Sequence, residues 1–283
     1  MVLAIMYLIS WKKKNISVKM LVKAVIAQFL IAVILVKVPA GRYVVSKVSD
    51  AVTSVINCGQ DGLSFVFGSL ADSTAAAGSV FAIQVLGNIV FLSALVSFLY
   101  YIGILGFVVK WIGKAVGKLM GTSEVESFVA VANMFLGQTD SPMPVAMVAL
   151  VAAVNKLLGV CGISLQQVFS YVFAPFGFFL GLDPSEILLE GNLLGSKLVL
   201  NEFVAFQQLG GMISSMDYRT GMICAISLCG FANFSSLGIC VSGIAVLCPE
   251  KKSTLARLVF KAMLGGVAAS LISAMTVGLV TLC

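Results

Sequence analysis

Nine polar side chains stand where the surrounding apolar sequence should exclude them: Asn133, Gln138, Thr139, Asp140, Asn201, Glu202, Asn233, Ser235 and Ser236. A charge centred in hydrocarbon costs roughly 2.5–3.5 kcal/mol on insertion scales, so such residues face a partner, a wet cavity or a ligand. Asn, Ser and Thr also bond across helices for about 0.6 kcal/mol each, and that plain structural reading suits Ser235. It suits Asp140 and Glu202 poorly, because both fall at the tips of apolar segments too short to span a bilayer. Amide, hydroxyl and carboxylate groups together match a neutral ligand with many hydrogen-bonding edges, such as a sugar or a base. The chain has no histidine. That removes Ser-His-Asp and Cys-His catalysis, histidine metal sites and a histidine proton relay. The seven cysteines are scattered without a Cys-x-x-Cys, and most lie in apolar runs as small hydrophobes. An intramembrane aspartyl protease would pair Asp140 with another buried Asp in a Gly-x-Gly-Asp element, which is absent. The expectation is neither an enzyme nor a cofactor protein.

The elements that position these residues follow from composition. Of 283 residues, 60% are hydrophobic and 11% charged, with a mean hydropathy of +1.08. A soluble domain carries about a quarter charged residues. The chain therefore reads as an all-α integral membrane protein, with transmembrane helices, interfacial helices and re-entrant half-helix hairpins. At roughly 20 residues per span there is room for about six to eight membrane segments. The net charge of +6 sits in clusters beside apolar runs, as cytoplasmic loops do, and no basic face interleaved with aromatics offers itself to nucleic acid.

Met1 to Trp11 is apolar but too short to span, and Met20 to Val38 is the first credible span, stopped by Pro39-Ala40-Gly41. From Tyr43 to Cys58, Val44, Val45, Val48, Val52, Val55 and Ile56 share one helical face, which predicts a helix lying in the membrane interface. A long span fits Val85 to Val109. A second interfacial helix follows, with Trp111, Ile112 and Leu119 opposite Lys110, Lys114 and Lys118. Ser123-Glu124-Val125-Glu126 is a capping box that opens a helix reaching about Leu136, some 20 Å long at about 1.5 Å per residue. Asp183, as N-cap before Pro184, opens another helix that runs to Asn201-Glu202. The stretch Thr220 to Pro249 is interrupted at residues 231–238, where Asn233 and Ser236 share a side. A basic loop with Glu250, Lys251, Lys252 and Arg257 precedes a last span from Lys261 to Cys283. Broken helices with polar tips are how transporters build substrate sites at mid-depth.

Gly137-Gln138-Thr139-Asp140-Ser141-Pro142, Asn201-Glu202-Phe203-Val204-Ala205 and Phe231-Ala232-Asn233-Phe234-Ser235-Ser236 resemble, in order, the signatures of the concentrative nucleoside transporter family. The resemblance covers nearly the whole chain. It implies cation-coupled nucleoside import across the cytoplasmic membrane, with sodium or protons as the coupling ion. It further implies a homotrimer and a transport domain that moves elevator-fashion against a scaffold. By resemblance, Gln138, Thr139 and Asp140 contact the nucleobase, and Glu202, Asn233 and Ser236 hold the ribose. Asn133 and the Leu136 carbonyl match part of the family's sodium site. Asp140 stands where the family has Glu. Pro142 also runs directly into Met143-Pro144-Val145, where the family has roughly a hundred further residues, so the chain looks internally deleted after Pro142. The same resemblance divides it into N-terminal scaffold spans at 1–111, an interfacial helix and incomplete first hairpin at 112–142, and scaffold-type and connecting helices at 143–182. The second hairpin, broken helix and last span fill 183–283. The rival expectation is a non-transporting membrane scaffold or a defective subunit.

Overall fold

The computed structural model describes residues 2–10, 13–72, 83, 87–135 and 152–282, and its regular structure there is helical. The helices are α1 (Val2–Ile9), α2 (Val18–Val36), α3 (Pro39–Phe67), α4 (Gly87–Tyr101), α5 (Ile104–Met120), α6 (Glu124–Phe135), α7 (152–159), α8 (Leu165–Leu180), α9 (Ile187–Val199), α10 (Glu202–Met212), α11 (Tyr218–Leu228), α12 (Phe234–Leu247) and α13 (Lys252–Leu282). They fall into two compact units. One is built from residues 19–24 and 37–137, the other from 1–18, 25–36 and 138–283.

In the first unit, Pro39 both ends α2 and begins α3, where its missing N–H costs nothing. α3 runs nine residues beyond the expected end at Cys58, and its six apolar residues from Val44 to Ile56 are all exposed. The expected span from Val85 to Val109 is not one helix. Gly103, at φ +82°, stands between α4 and α5, whose axes bend by 79°. A left-handed residue cannot continue an α-helical ladder, and glycine adopts that conformation without a Cβ penalty. Ile104 to Val109 therefore belongs to α5, ahead of its basic half, and the second interfacial helix starts earlier than Trp111. α6 returns along α5: Leu105 and Val109 pack with Val131, while Gly113 faces the Phe128 backbone. Its capping box forms as expected. Glu126 N donates to Ser123 Oγ at 3.2 Å, and Ser123 N donates to Glu126 Oε2 at 3.1 Å.

In the second unit, α8 and α9 pack most closely. A Cβ at Gly191 would stand 2.4 Å from the Ser170 carbonyl, and one at Gly195 would stand 2.2 Å from Phe169 Cβ. This small-x-x-x-small spacing is how membrane helices bring their backbones together without a hydrophobic driving force. α9 does not begin at Asp183. Residues 183–186 close a separate turn, with Glu186 N donating to the Asp183 carbonyl at 2.9 Å. Thr220 Oγ1 donates to Glu186, and α9 starts only at Ile187. Leu180, Leu193, Leu194, Ile223, Leu228 and Leu271 form the buried core among α8, α9, α11 and α13.

α13 is longer than expected. Lys252 and Arg257, assigned to a loop, lie in its first turns, because no breaker separates them from Lys261. Long basic side chains on a helix end reach water while their stems stay apolar. Ala32 of α2 packs on Val277 and Val280 of α13, while Phe29, Leu30, Ile31 and Ile34 stay exposed. Among the described residues, α2 and α13 are long and apolar enough to cross a membrane, and the bent pair α4–α5 supplies a third candidate. The helices from α9 to α12 are half-length.

Candidate functional site

The site is built where two half-helices begin. Asn201 has extended backbone and caps α10, accepting from Val204 N at 2.9 Å. Asn233, also extended, caps α12, accepting from Ser236 N at 2.8 Å and Ser236 Oγ at 2.7 Å. Each cap satisfies a donor that the first helical turn leaves orphaned. Asn233 then turns its amide outward. Its Nδ2 donates to Glu202 Oε2 at 2.7 Å, tying the start of α12 to the start of α10. Asn233 is 1% exposed and Ser236 is buried, whereas Glu202 is half-buried at the first turn of α10. A carboxylate there is favoured by the positive ends of both helices. Beside this network, Asn233, Ser236, Phe231, Cys240, Leu258 and Met263 line a mainly apolar cavity of about 400 Å³ between α12 and α13. An apolar cleft with a few convergent polar groups is the ordinary form of a small-molecule site.

The opposite polarity is handled by a buried cation. Lys197, in the last turn of α9, is 1% exposed. Its Nζ donates to the carbonyls of Ser227 (2.7 Å) and Cys229 (3.2 Å) and to Ser270 Oγ (3.0 Å). It thus closes the carbonyl end of α11, where helix ends favour positive charge. The backbone break from Cys229 to Asn233 is therefore held at both ends, by Lys197 on one side and Asn233 with Glu202 on the other. Sequence reasoning passed over Lys197, and over Glu190 seven residues before it. The available signal was two ionisable residues, two turns apart, inside the apolar run Ile187–Val199.

Of the residues singled out in the sequence, the structure brings together Glu202, Asn233 and Ser236, with Asn201 next to them. Asn133 lies on α6, but its side chain is outside the described residues, as is that of Ser235. Leu136, Gln138, Thr139 and Asp140 lie wholly outside them.

A membrane protein with a hairpin of half-helices facing a broken helix, both tipped by polar caps, has the architecture of a transporter. Residues 1–70 match the family model of the Na+ dependent nucleoside transporter N-terminus, and residues 141–278 that of its C-terminus. The chain belongs to this family, the concentrative nucleoside transporters. It is 29% identical to an uncharacterized transporter of Haemophilus influenzae over 395 residues, covering 98% of this chain and 95% of the relative. It is 26% identical to the nucleoside permease NupC of Helicobacter pylori over 400 residues, covering 98% and 96%. Its fold matches an asparagine-to-leucine variant of CNTnw in the intermediate 3 state at a TM-score of 0.91, with 26% identity over 99% of this chain and 96% of that one. The first alignment runs over 395 positions against a chain of 283 residues, so at least 112 of those positions face no residue here. That fits an internal truncation.

Proposed function

We propose that this chain imports nucleosides across the cytoplasmic membrane by cation-coupled, elevator-type alternating access, as a homotrimer. The observation that carries this reading is the bond between Asn233 Nδ2 and Glu202 Oε2, which joins the tips of two half-helices beside a cavity. In this reading Glu202 accepts hydrogen bonds from ribose hydroxyls, while Asn233 and Ser236 complete the ribose contacts. Gln138, Thr139 and Asp140 read the base from the first hairpin tip, and the coupling ion is sodium or a proton, with Asn133 and the Leu136 carbonyl as part of a sodium shell. The division into scaffold (1–111), first hairpin (112–142), connecting helices (143–182) and second hairpin with broken helix (183–283) belongs to the same reading. Uptake of radiolabelled uridine into proteoliposomes, with and without a sodium or a proton gradient, tests it. Gradient-driven accumulation is expected, and its absence in vesicles that retain the inserted protein overturns the reading.

The truncation favours a second reading. With at least 112 aligned positions missing, the chain is a non-transporting subunit that assembles with complete relatives. Uptake that appears only on coexpression with a full-length relative would support it.

A further inference from the structure

Glu190 lies on α9 facing α11 and is 0% exposed. Its Oε1 is in hydrogen-bond contact with Ser227 Oγ, its Oε2 is also buried, and the Cys224 thiol is the other side-chain group beside the carboxyl. The same Ser227 Oγ lies 2.8 Å from the Cys224 carbonyl. A hydroxyl has one hydrogen, and a carbonyl can only accept. Ser227 therefore gives its full hydrogen to just one of these two oxygens. Both contacts are complete hydrogen bonds only when the proton between Glu190 and Ser227 comes from the carboxyl group. Lys197 does not neutralise Glu190 by direct contact, because an ammonium has three donors and those of Lys197 go to Ser227 O, Cys229 O and Ser270 Oγ. A buried carboxyl without an ion pair costs far less as the neutral acid than as the anion.

We propose that Glu190 is a proton-binding site, and that its proton travels with the substrate as a coupling ion. The second clause rests on the transport reading above, whereas the first does not. In the protonated state the carboxyl O–H on Oε1 donates to Ser227 Oγ, and Ser227 donates to the Cys224 carbonyl. The proton is taken from water on one side and returned to water on the other. On its loss, Ser227 turns its hydrogen from Cys224 to Oε1. The new anion then attracts the ammonium of Lys197, two turns along the same helix, away from the carbonyls at the start of the 229–233 break. Ser227 is thus the shared residue, with its hydroxyl on Glu190 and its carbonyl on Lys197. The other groups that act here are Glu186 in the turn before α9, Thr220 and Cys224 on α11, and Glu202 on α10 through its attraction for Lys197. α8 and α12 carry no charged residue, and the charged residues of α13 all precede the part that packs here.

The test uses the full chain and its Glu190→Gln variant, which keeps the shape and donates to Ser227 as the acid would. Infrared spectra at pH 7 should show the carbonyl stretch of a protonated carboxylic acid that is missing in Glu190→Gln. A wild-type protein with no protonated-acid band at pH 7 overturns the proposal, whatever the variant does. Should Glu190→Gln fail to fold, Ser227→Ala must shift the frequency of that band, and an unmoved band overturns the assignment. Proteoliposomes with an acidic exterior should accumulate uridine up to about tenfold per unit of pH gradient, equivalent to about 1.4 kcal/mol for one proton. Glu190→Gln should bind uridine but lose that stimulation. Uptake driven by sodium yet indifferent to the pH gradient overturns the coupling clause. A band with no uptake under any gradient supports the proton site and overturns the transport reading instead.

Discussion

Glu202 and Asn233 act through each other, and each has a second task. Asn233 caps α12 with its carbonyl oxygen while its amide holds Glu202. Asn233→Ala removes both functions, and loss of an N-cap alone costs about 1 kcal/mol. We expect a lower melting temperature in detergent together with lost uridine binding. Glu202→Gln separates the two roles, because the amide still fits beside Asn233. A charged acceptor is roughly twice as strong as a neutral one, so uridine binding should vanish while membrane insertion persists. Unchanged uridine affinity by calorimetry would count against a ribose-binding carboxylate. Lys197→Met removes the cation that closes α11 and strands buried carbonyls, each worth about 1–3 kcal/mol when left unpaired. The expected result is a destabilised protein, read as an earlier unfolding transition than in wild type.

At the scale of elements, close approach of helices does the work that hydrophobic burial does in water. α9 can place Glu190 and Lys197 against α11 because another face of it lies close on α8, at Gly191 against the Ser170 backbone and at Gly195 against the Phe169 side chain. A larger residue at 195 meets Phe169 Cβ, a stiff obstacle and not a flexible tip. Gly195→Val should therefore abolish monodisperse protein in fluorescence-detected size-exclusion runs. Gly210→Ala on α10, where a Cβ meets nothing within 4 Å, should leave the profile unchanged. Equal behaviour of the two variants would show that α8–α9 contact does not govern assembly.

At the scale of the molecule, coupling requires that ion and substrate favour the same state, and the linkage is reciprocal. In the proposed reading Asn133 and the Leu136 carbonyl supply only part of a sodium shell, the rest of which falls in the stretch this chain lacks. Uridine affinity is accordingly expected to change less than about threefold between sodium and choline buffers. A tenfold strengthening by sodium, about 1.4 kcal/mol, would mean that a complete sodium shell exists despite the missing positions.

Membrane class, helical content and the polar interruptions at Asn201-Glu202 and Asn233–Ser236 are legible in the sequence, because each is local. Hydropathy sets the solvent, and a polar side chain in an apolar run has to be explained by something. The capping box at Ser123 and Glu126 is equally local and forms as expected. The bend at Gly103 is not legible, because a lone glycine in an apolar stretch is equally compatible with a continuous helix, and its positive φ shows only in the fold. Asp183 failed as a cap because Glu186 is held by Thr220, 34 residues away. The polar seam of Glu190, Ser227, Lys197 and Ser270 could be decided only by tertiary structure. Its members come from three helices far apart in the chain, and the character of each depends on which oxygen the fold sets opposite it.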